Sequence, residues 1–539
     1  MDAERQFDEV CQAMAVPSFY PHPARTVVRR DTHISVVFLT GDWVYKLKKP
    51  VDFAFLDFRS LAARQHFCLQ EVRLNQRFSH DIYLGVVAIC RDSSGRFSLN
   101  GPGCVVEYAV KMRQLAESWC LKERLKQGLA TRSEMKRLGR FLAAFHQAAV
   151  RSAEIDHFGH PEVIGFNVEE NFRQVKAFEA ELLDAEKLAL VRAVSGSFME
   201  HRQKLFERRV AAGRIRDGHG DLRSDHVYFH NGIQVIDCIE FNDRFRYGDV
   251  SSDLAFLIMD LDHRRRSGLG RALLAAYADA AADPDVYMLL DFYATYRAMV
   301  MVKVHCLRYA GLGSDDGALR SALRRQARRY LEQAYRYAVQ FSRPTLWVFC
   351  GLPASGKSTL ARELSRVFGL ALFQSDALRK ETFGKGVQDG TVGGFGEGIY
   401  RPEITALVYG RLLALAQEEL KHGRSVILDA TYAQRKWRLA ALQLADDIDA
   451  DVIVVECRCP ERTLRQRLAA RERQPGLSDA RLRHLPEFLR GFEVLNEIRR
   501  DRHIRVSTNA RLPTAFGRLL ATAYGKKCSQ VLKRLWHQR

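Results

Sequence analysis

The sequence predicts an α+β domain followed by an α/β domain with a parallel sheet, and three observations lead to this fold class. Residues 30–115 contain short β-rich runs, such as HISVVFLTGDWVYKL and CVVEYAV, that are broken by turn signals. Residues 115–340 are mostly helical in pattern. Beyond Pro344, buried-strand runs alternate with helices to about residue 525, which is typical of a parallel sheet.

The first domain is expected to have two lobes, one rich in strands and one helical. A helix predicted at 59–78 interrupts the strands of the small lobe, and Thr40-Gly41-Asp42 reads as a hairpin turn. Ser342-Arg343-Pro344 marks the domain boundary because proline ends regular structure before a new strand. We therefore predict a first domain at 1–340, its small lobe at about 25–112, its helical lobe at 113–340, and a second domain at 341–539.

Composition excludes several classes of protein. The chain has 539 residues, 47% hydrophobic and 27% charged, which excludes collagen-like and wholly disordered chains. Its formal charge of +19 favours anionic ligands such as phosphates, although a solvated Arg-rich surface explains the charge equally well. The eleven cysteines show no zinc spacing and suggest reduced thiols. The opening MDAERQFDEV has no signal-peptide core and no run is long enough to span a membrane, so we expect a cytoplasmic protein without a membrane partner.

The strongest motif is a phosphate loop at residues 351–359, GLPASGKST, which lies between a buried strand and a helix. Glycines in this position let backbone N–H groups surround a phosphate chain at a helix N-terminus. Lys357 should reach the β- and γ-phosphates of ATP, and the Ser358 hydroxyl should bind Mg²⁺. The predicted nucleotide-binding residues of this loop are Gly351, Ser355, Gly356, Lys357, Ser358 and Thr359.

Carboxylates and arginines follow the phosphate loop at positions that suit phosphoryl transfer. Asp376 ends the predicted strand run ALFQSD and could be the general base for an acceptor hydroxyl. Asp429 ends the run SVILD and could serve Mg²⁺ or orient the substrate. The helix ERTLRQRLAARERQ carries five arginines, most of which we interpret as solvated. Arg467 and Arg471, four residues apart, are the predicted catalytic pair that closes over the phosphoryl group.

Residues 345–525 resemble the small P-loop kinases typified by polynucleotide 5′-hydroxyl kinase, zeta-type toxins, gluconate kinase and chloramphenicol phosphotransferase. The segments GLPASGKSTLA, SDALRK and VILDATY carry the resemblance. It implies that Asp376 activates the acceptor hydroxyl and that Arg379 positions the acceptor. Ala430 follows Asp429, so the Asp-Glu pair of hydrolytic P-loop ATPases is missing, which favours transfer over hydrolysis.

A second constellation lies in the first domain. The segment GHGDLRSDHVYF places Asp221 in a loop, and Asp237 follows a short apolar run 16 residues later. Two carboxylates in this order can serve an acceptor and a metal ion. Lys46 ends a β-run and could bind the nucleotide phosphates with Glu71 as its ion-pair partner, although Lys48 and Lys49 compete for that role. The run VVEYAV at 105–110 is a possible hinge for adenine.

Residues 30–310 resemble the aminoglycoside phosphotransferase family, which has a protein-kinase-like fold. The segments VYKL, FLAAFHQ, HGDLRSDH, VIDCIEF and GDVSSDLAFL carry the resemblance. It implies a catalytic Asp221, a magnesium-binding Asp237 and a structural Asp253. The whole chain is similar to a bacterial fusion of such a domain with a P-loop kinase or ATPase domain.

This domain departs from the family pattern at two places. His226 stands where the family has a metal-binding Asn, and imidazole suits Mg²⁺ badly. Either Glu240 or Asp225 supplies the missing oxygen, or the metal preference has shifted and His226 is itself a ligand, or this half is catalytically weak. No glycine-rich loop covers the nucleotide, and the turn at 31–35 offers hydroxyls and backbone amides instead.

The predicted function is a two-site, ATP- and Mg²⁺-dependent phosphotransferase. Its P-loop half would phosphorylate a hydroxyl of a small molecule, and its first half would be a second kinase, active or degenerate. A nucleotide-sensing regulatory protein is the first alternative. A nucleic-acid 5′-hydroxyl kinase ranks third, because the basic residues show no interleaved aromatic platform. Cationic aminoglycosides match the charge of the chain poorly.

Overall fold

The computed structural model describes residues 3–53, 56–79, 81–312, 316–383, 398–473 and 480–537. The chain forms two compact units, the first made of Met1–Gln174 and Met199–Ala281, the second of Val175–Phe198 and Ala282–Arg539.

Helices and strands are numbered here in chain order. The helices are α1 (Ala3–Met14), α2 (Leu61–Asn75), α3 (Leu121–Lys126), α4 (Arg132–Ala148), α5 (Ala153–His157), α6 (Pro161–Val175), α7 (Ala185–His201), α8 (Gln203–Ala211), α9 (Asp243–Arg246), α10 (Val250–His263), α11 (Ser267–Ala280), α12 (Val286–Ala310), α13 (Gly317–Ser342), α14 (Lys357–Phe368), α15 (Ser375–Phe383), α16 (Pro402–Lys421), α17 (Arg435–Asp447), α18 (Glu461–Arg473), α19 (Leu485–Arg490) and α20 (Leu512–His537). The strands are β1 (Val28–Asp31), β2 (Ser35–Leu39), β3 (Trp43–Lys48), β4 (Asp52–Phe53), β5 (Leu56–Asp57), β6 (Tyr83–Arg91), β7 (Phe97–Leu99), β8 (Cys104–Arg113), β9 (Ile215–Asp217), β10 (Val227–Tyr228), β11 (Gln234–Val235), β12 (Tyr247–Asp249), β13 (Thr345–Cys350), β14 (Ala371–Gln374), β15 (Val426–Asp429), β16 (Asp451–Arg458) and β17 (His503–Ser507).

The first unit begins with a six-stranded antiparallel sheet in the order β1-β2-β3-β8-β6-β7. Alternation along the strands gives the sheet two apolar faces. Val36, Phe38 and Tyr45 pack on one face with residues of α1, whereas Val44 and Val110 pack on the other with Cys68 of α2. Covering both faces fixes the register of β3, and it holds α2 against the strand that carries the candidate lysines.

Helices and two short β-ladders make up the rest of the first unit. Helix α4 starts with a capping box between Thr131 and Glu134 and packs tightly on α11. At Gly139 of α4, a Cβ atom would lie 2.5 Å from the Leu273 carbonyl oxygen. The β9–β12 and β10–β11 ladders frame the loops that follow β9 and β11. These loops carry Asp237 and residues 219–226, which we call the HGD segment. The two short ladders thereby hold both loops in place.

The second unit contains a five-stranded, fully parallel sheet in the order β14-β15-β13-β16-β17. Its central strand β13 is buried throughout, as a strand covered on both faces must be. One apolar cluster joins the sheet to α16 and α17, and another joins it to α14 and α20. The mixed fold class, with a kinase-like first domain and a parallel-sheet P-loop domain, is thereby confirmed.

Helices α12 and α13 belong to the second unit. Asp291 of α12 accepts hydrogen bonds from Tyr524 Oη of α20 and Gln340 Nε2 of α13, both at 2.8 Å. The domain boundary near residue 340 falls at the end of α13 and stays a prediction. Over the described ranges, no helix combines the length and apolarity that crossing a membrane requires.

Candidate functional site

The first candidate site centres on two lysines of β3 that share one carboxylate. Lys46 Nζ lies 2.8 Å from Glu71 Oε1 and 2.6 Å from Asp237 Oδ1. Lys48 Nζ lies 2.8 Å from Glu71 Oε2 and also donates to Glu240. Because residues 46 and 48 point to the same side of the strand, Glu71 of α2 can bind both lysines. We call these five residues the lysine–carboxylate cluster.

Burial distinguishes the two lysines, which spacing alone could not separate. The side chains of Lys48 and Glu71 are 0% exposed, whereas that of Asp237 is 45% exposed. Burial opposes the charge of Lys48, but Glu240 and Glu71 outweigh it and raise the pKa of Lys48 above its usual range. Lys48 therefore stays charged and cannot be reached by a ligand, so its role is structural. Lys46 and Asp237 form the part of the cluster that a ligand can reach.

The HGD segment (residues 219–226) brings a second carboxylate to this site. Asp221 is held by Arg223, whose Nε and Nη2 donate to its two oxygens at 2.7 and 2.8 Å. His226 lies between the carboxylates, with Nε2 3.5 Å from Asp237 Oδ2 and Nδ1 2.8 Å from the Asp221 carbonyl oxygen. The predicted catalytic Asp221 and the predicted metal ligands Asp237 and His226 thus lie together.

Supporting residues that the sequence reasoning missed hold Asp237 in place. Asp237 has a left-handed φ of 65°, and its backbone N–H donates to Tyr83 Oη at 3.0 Å. The next backbone N–H, of Cys238, donates to Asn75 Oδ1 at 2.9 Å. An unusual backbone conformation persists only where surrounding contacts impose it. Nothing in the local sequence around Tyr83 or Asn75 signals these long-range contacts.

Asp253 takes the structural position that the resemblance implies. Its carboxylate accepts hydrogen bonds from the backbone N–H groups of His219 at 2.6 Å and Gly220 at 2.9 Å. Burial lowers the pKa of His219 to about 4, so its ring is neutral at physiological pH. Asp253 therefore orders the HGD segment from the helical base.

The donors at this site fit Mg²⁺ poorly. A magnesium site needs several oxygen ligands, but the position beside Asp237 holds an imidazole. Glu240 is bound to buried Lys48, and Asp225 pairs with Lys122 Nζ at 2.7 Å. Among the residues that the structure describes, no group of three or more His, Cys, Asp or Glu side chains could hold a metal ion. The metal roles of Asp237, Glu240 and His226 stay predictions, and this arrangement argues against them.

The predicted adenine hinge at 105–110 is wrong. These residues lie inside β8, and the stretch pairs with β6 from Val105 to Val110 while Ala109 and Val110 also pair with β3. Backbone groups engaged in a ladder are not available to a ligand. The run is part of an ordinary strand of the sheet.

The second candidate site is the phosphate loop between β13 and α14. Gly351 and Gly356 have φ values of 141° and 84°, in the region that favours glycine. A Cβ atom on Gly351 would lie 2.5 Å from the Cys457 carbonyl oxygen, so β16 leaves no room for a side chain there. Lys357 and Ser358 begin α14 half-buried, and Thr359 is exposed. The loop therefore presents backbone N–H groups, a lysine and a hydroxyl at one helix N-terminus.

Two buried oxygens beside this loop have no hydrogen-bond partner within the described part of the chain. Asp429 ends β15 beside β13 and is 3% exposed. Its Oδ2 accepts a hydrogen bond from Gln374 Nε2 at 2.7 Å, but neither its Oδ1 nor Ser355 Oγ has a partner among the described residues. A buried carboxylate oxygen without a donor is costly unless a ligand satisfies it. Ser358 and Asp429 thus fit the Mg²⁺ that P-loop phosphotransferases use, and would hold it. The sequence reasoning missed Gln374.

Asp376 and Arg379 lie in the first two turns of α15. Asp376 is the second residue of α15, whereas the sequence predicted it at the end of the preceding strand, which stops at Gln374. Arg379 is 5% exposed, and its Nη1 donates to the Ile399 carbonyl oxygen at 2.5 Å, with its guanidinium over the Tyr400 ring. Burial lowers the pKa of Arg379, an effect that nearby Tyr400 and Asp376 oppose. Arg379 therefore links α15, the helix that carries Asp376, to residues Ile399 and Tyr400.

The two predicted arginines of α18 differ in their contacts. Arg467 donates from Nη2 to the Thr508 carbonyl oxygen at 2.7 Å and from Nη1 to the Ala354 carbonyl oxygen at 3.1 Å. Arg467 thereby ties α18 and the loop after β17 to the phosphate loop. Burial lowers the pKa of Arg471, and the negative charge of Asp376 partly offsets this effect. The role of Thr508 has no motif of its own and was not predicted.

Comparisons with known families match both halves of the chain. A model described as the phosphotransferase enzyme family matches residues 87–290, and a model described as an AAA domain matches residues 346–495. The chain thus carries a domain of the aminoglycoside phosphotransferase type followed by a P-loop kinase domain. These matches support a phosphotransferase.

Relatives of similar length also match. The uncharacterized protein Rv2004c from Mycobacterium tuberculosis and its counterpart Mb2027c from Mycobacterium bovis are 32% identical over 452 residues, covering 84% of this chain and 87% of each relative.

Solved structures match parts of the chain. A choline/ethanolamine kinase family protein from Mesorhizobium loti matches 62% of this chain and 99% of its own, with 15% identity and a TM-score of 0.36. A putative kinase from Chloroflexus aurantiacus matches 33% of this chain and 96% of its own, with 22% identity and a TM-score of 0.27.

Proposed function

We propose, from the premise that this chain belongs to the same family as the mycobacterial proteins Rv2004c and Mb2027c, that it is an ATP-dependent phosphotransferase whose P-loop half phosphorylates a hydroxyl of a small molecule. The observation that carries the proposal is the phosphate loop beside a buried carboxylate oxygen of Asp429 that no described residue hydrogen-bonds. Such a site is prepared for a phosphate chain and a cation. The cysteines of the described residues are free thiols, which supports a cytoplasmic setting.

The residues around the phosphate loop have separate roles in the proposed reaction. The loop N–H groups and Lys357 bind the β- and γ-phosphates of ATP. Mg²⁺, when held by Ser358 and Asp429, neutralises phosphate charge. Arg471 stabilises the transferring phosphoryl group, and Arg467 keeps the loop in shape.

Asp376 serves as the general base of the transfer. Its carboxylate accepts the proton of the acceptor hydroxyl, whose oxygen forms a bond to the γ-phosphorus. The bond from that phosphorus to the β,γ-bridging oxygen breaks, and ADP leaves with the electron pair. The absence of an acidic residue at position 430, where Ala430 stands, supports transfer rather than hydrolysis.

The experiment that tests this proposal is a transfer assay on the full chain with γ-labelled ATP and a panel of hydroxyl compounds. Lys357→Ala should abolish label transfer. Asp376→Asn should lower kcat by about a thousandfold and leave the KM for ATP within about twofold, because the base acts only in the chemical step. Transfer by Lys357→Ala at the wild-type rate would refute the assignment.

A nucleotide-sensing role is the second candidate, and the geometry of the first half favours it there. Asp221 is bound by Arg223 through both oxygens, and the metal position beside Asp237 lacks oxygen donors. We therefore propose that the kinase-like half binds nucleotide but transfers phosphate weakly. If the whole chain is a sensor, Asp376→Asn will leave every measured property unchanged.

A further inference from the structure

Every carboxylate around the first site already has a cationic partner from the protein. Asp237 pairs with Lys46 at 2.6 Å, Asp221 with Arg223 at 2.7 Å, Asp225 with Lys122 at 2.7 Å, and Glu71 with both lysines of β3 at 2.8 Å, while Glu240 pairs with Lys48. A divalent cation would have to compete with these protein cations for its carboxylate ligands. For Glu71 and Glu240, which are buried, losing the lysine leaves an uncompensated charge and is strongly unfavourable.

Asp237 is the most exposed of these carboxylates, and the groups beside it suit a divalent cation poorly. Its Oδ1 is bound by Lys46 Nζ at 2.6 Å. His226 Nε2 lies 3.5 Å from the other oxygen, Oδ2. If Lys46 turned toward a phosphate, the imidazole of His226 would be the group left beside Asp237. One carboxylate beside one imidazole does not provide the oxygen-rich coordination that Mg²⁺ requires.

The same site offers positive charge to an anion. Lys46 Nζ donates one hydrogen bond to the buried Glu71 and another to the exposed Asp237. Arg223 is bound to Asp221, whose side chain is 26% exposed. Both cations can turn toward phosphate oxygens while their carboxylate partners stay within reach. Guanidinium and ammonium groups bind phosphate directly, without an intervening metal ion.

We propose that the kinase-like half binds a nucleoside triphosphate or diphosphate without a divalent cation, with Lys46 and Arg223 taking the place of the metal's charge. The inference rests on the proposed function only in taking this half to bind nucleotide. As a consequence, the two halves of the chain use nucleotide in different forms. The P-loop half consumes ATP with Mg²⁺, and the first half reports the level of metal-free nucleotide.

The test measures binding of the fluorescent analogue MANT-ATP to full-length Lys357→Ala, in which the phosphate loop is disabled. We expect one nucleotide per chain, with Kd values in EDTA and in excess Mg²⁺ that agree within about threefold. Binding that weakens more than about tenfold in EDTA would overturn the inference. Failure of Lys357→Ala to bind nucleotide in either buffer would overturn it too, and leaves label transfer by the wild-type chain as the separate test of the proposed function.

A second variant tests the stated cause without removing a buried charge. In the Lys357→Ala background, His226→Asn supplies the missing oxygen donor, and Mg²⁺ should then tighten MANT-ATP binding by about tenfold. An unchanged response to Mg²⁺ would contradict the role given to His226.

Removing Lys46 provides the matched comparison. Lys46→Met should lower the affinity for MANT-ATP at least about tenfold in EDTA. The exposed Lys126→Met on α3 is its control and should change nothing. Circular dichroism separates lost binding from lost folding, and a folded Lys46→Met chain with unchanged affinity would count against the inference.

Discussion

At the scale of single residues, Arg467 shows how an arginine can serve a phosphate site through the backbone. Its guanidinium bonds the carbonyl oxygens of Ala354 in the phosphate loop and Thr508 after β17. Ala354 has a φ of 65°, a conformation that needs support from outside the loop. Arg467 supplies it, so its contribution to nucleotide binding includes loop geometry as well as charge.

Replacing Arg467 by Ala should therefore raise the KM for ATP in the transfer assay by about tenfold, because the loop loses two charge-assisted hydrogen bonds. Arg465→Ala is the matched control on the same helix. Arg465 is exposed and contacts Glu461 one turn earlier, so its loss should change KM less than about twofold. Equal effects of the two substitutions would mean that Arg467 acts only through general charge.

Glu456 of β16 should make the P-loop half sensitive to acid. Burial favours its neutral form, but hydrogen bonds from His503 at 2.9 Å and Arg458 at 2.6 Å lower the pKa of Glu456 to about 2. A carboxylate with a lowered pKa stabilises the fold above its ordinary value of 4.5 and loses this effect as the pH falls toward 2.

Glu456→Gln should accordingly lower the free energy of unfolding by about 2 kcal/mol at pH 7. The difference from wild type should shrink as the pH falls below 4.5. Urea denaturation at pH 7 and pH 3, followed by circular dichroism, measures it. A difference that stays constant over this range would show that the charge of Glu456 is not what stabilises the strand.

Residue types were easier to predict than their partners. Alternation along β3 placed Lys46 and Lys48 on one side, but only the fold shows that Glu71 binds both and that Glu240 binds the buried one. Arg379 follows Asp376 in the sequence, yet its burial depends on Tyr400, which lies far along the chain. Such partners depend on tertiary packing, which local spacing does not encode.

At the scale of elements, α12 and α13 pack as part of the second unit. Tyr287 and Met288 of α12 lie against the apolar cluster that joins the sheet to α14 and α20, and Asp291 accepts bonds from α13 and α20. A fragment that starts at residue 341 lacks these contacts.

We expect residues 282–539 to melt about 5 °C or more above residues 341–539, because the shorter fragment exposes apolar surface and loses the hydrogen bond from Tyr524 to Asp291. Differential scanning fluorimetry compares the two fragments. Tyr524→Phe in the longer fragment, which removes the hydrogen bond to Asp291 alone, should give an intermediate melting temperature. Equal melting temperatures would place the boundary near 340, as the sequence predicts.

Helices α4 and α11 touch at a glycine. A methyl group at Gly139 would meet the Leu273 carbonyl oxygen at 2.5 Å, so Gly139→Ala should destabilise the fold by about 2 kcal/mol in urea denaturation. Gly165→Ala in α6 is the control. Its added methyl meets only the Met199 side chain at 3.8 Å, and it should stabilise by about 0.5 kcal/mol because alanine favours helices. Similar effects of both substitutions would contradict close packing at Gly139.

Strands with strong hydrophobic runs were predicted at the right places. The runs TLWVFC and SVILD become β13 and β15, and the turn at Thr40-Gly41-Asp42 joins β2 to β3. The short strand β1 was missed because Val28–Asp31 is exposed and mostly charged, which gives no apolar alternation. Asp376 lies in a helix because the strand run ends earlier, at Gln374.

At the scale of the whole molecule, the positive charge is unevenly distributed. Residues 282–539 contain 43 Lys and Arg against 27 Asp and Glu, whereas residues 1–281 contain 40 against 37. Most of the formal charge of +19 therefore lies in the part of the chain with the phosphate loop. A phosphate-binding half accounts for such a distribution without nucleic acid.

The most direct measurement is label transfer from γ-labelled ATP by four forms of the full chain, the wild type, Lys357→Ala, Asp376→Asn and Asp221→Asn. The account predicts that the wild type and Asp221→Asn transfer label to a hydroxyl compound at similar rates, and that Lys357→Ala and Asp376→Asn do not. Transfer that is lost in Asp221→Asn and kept in Lys357→Ala would place the chemistry in the kinase-like half and contradict the account.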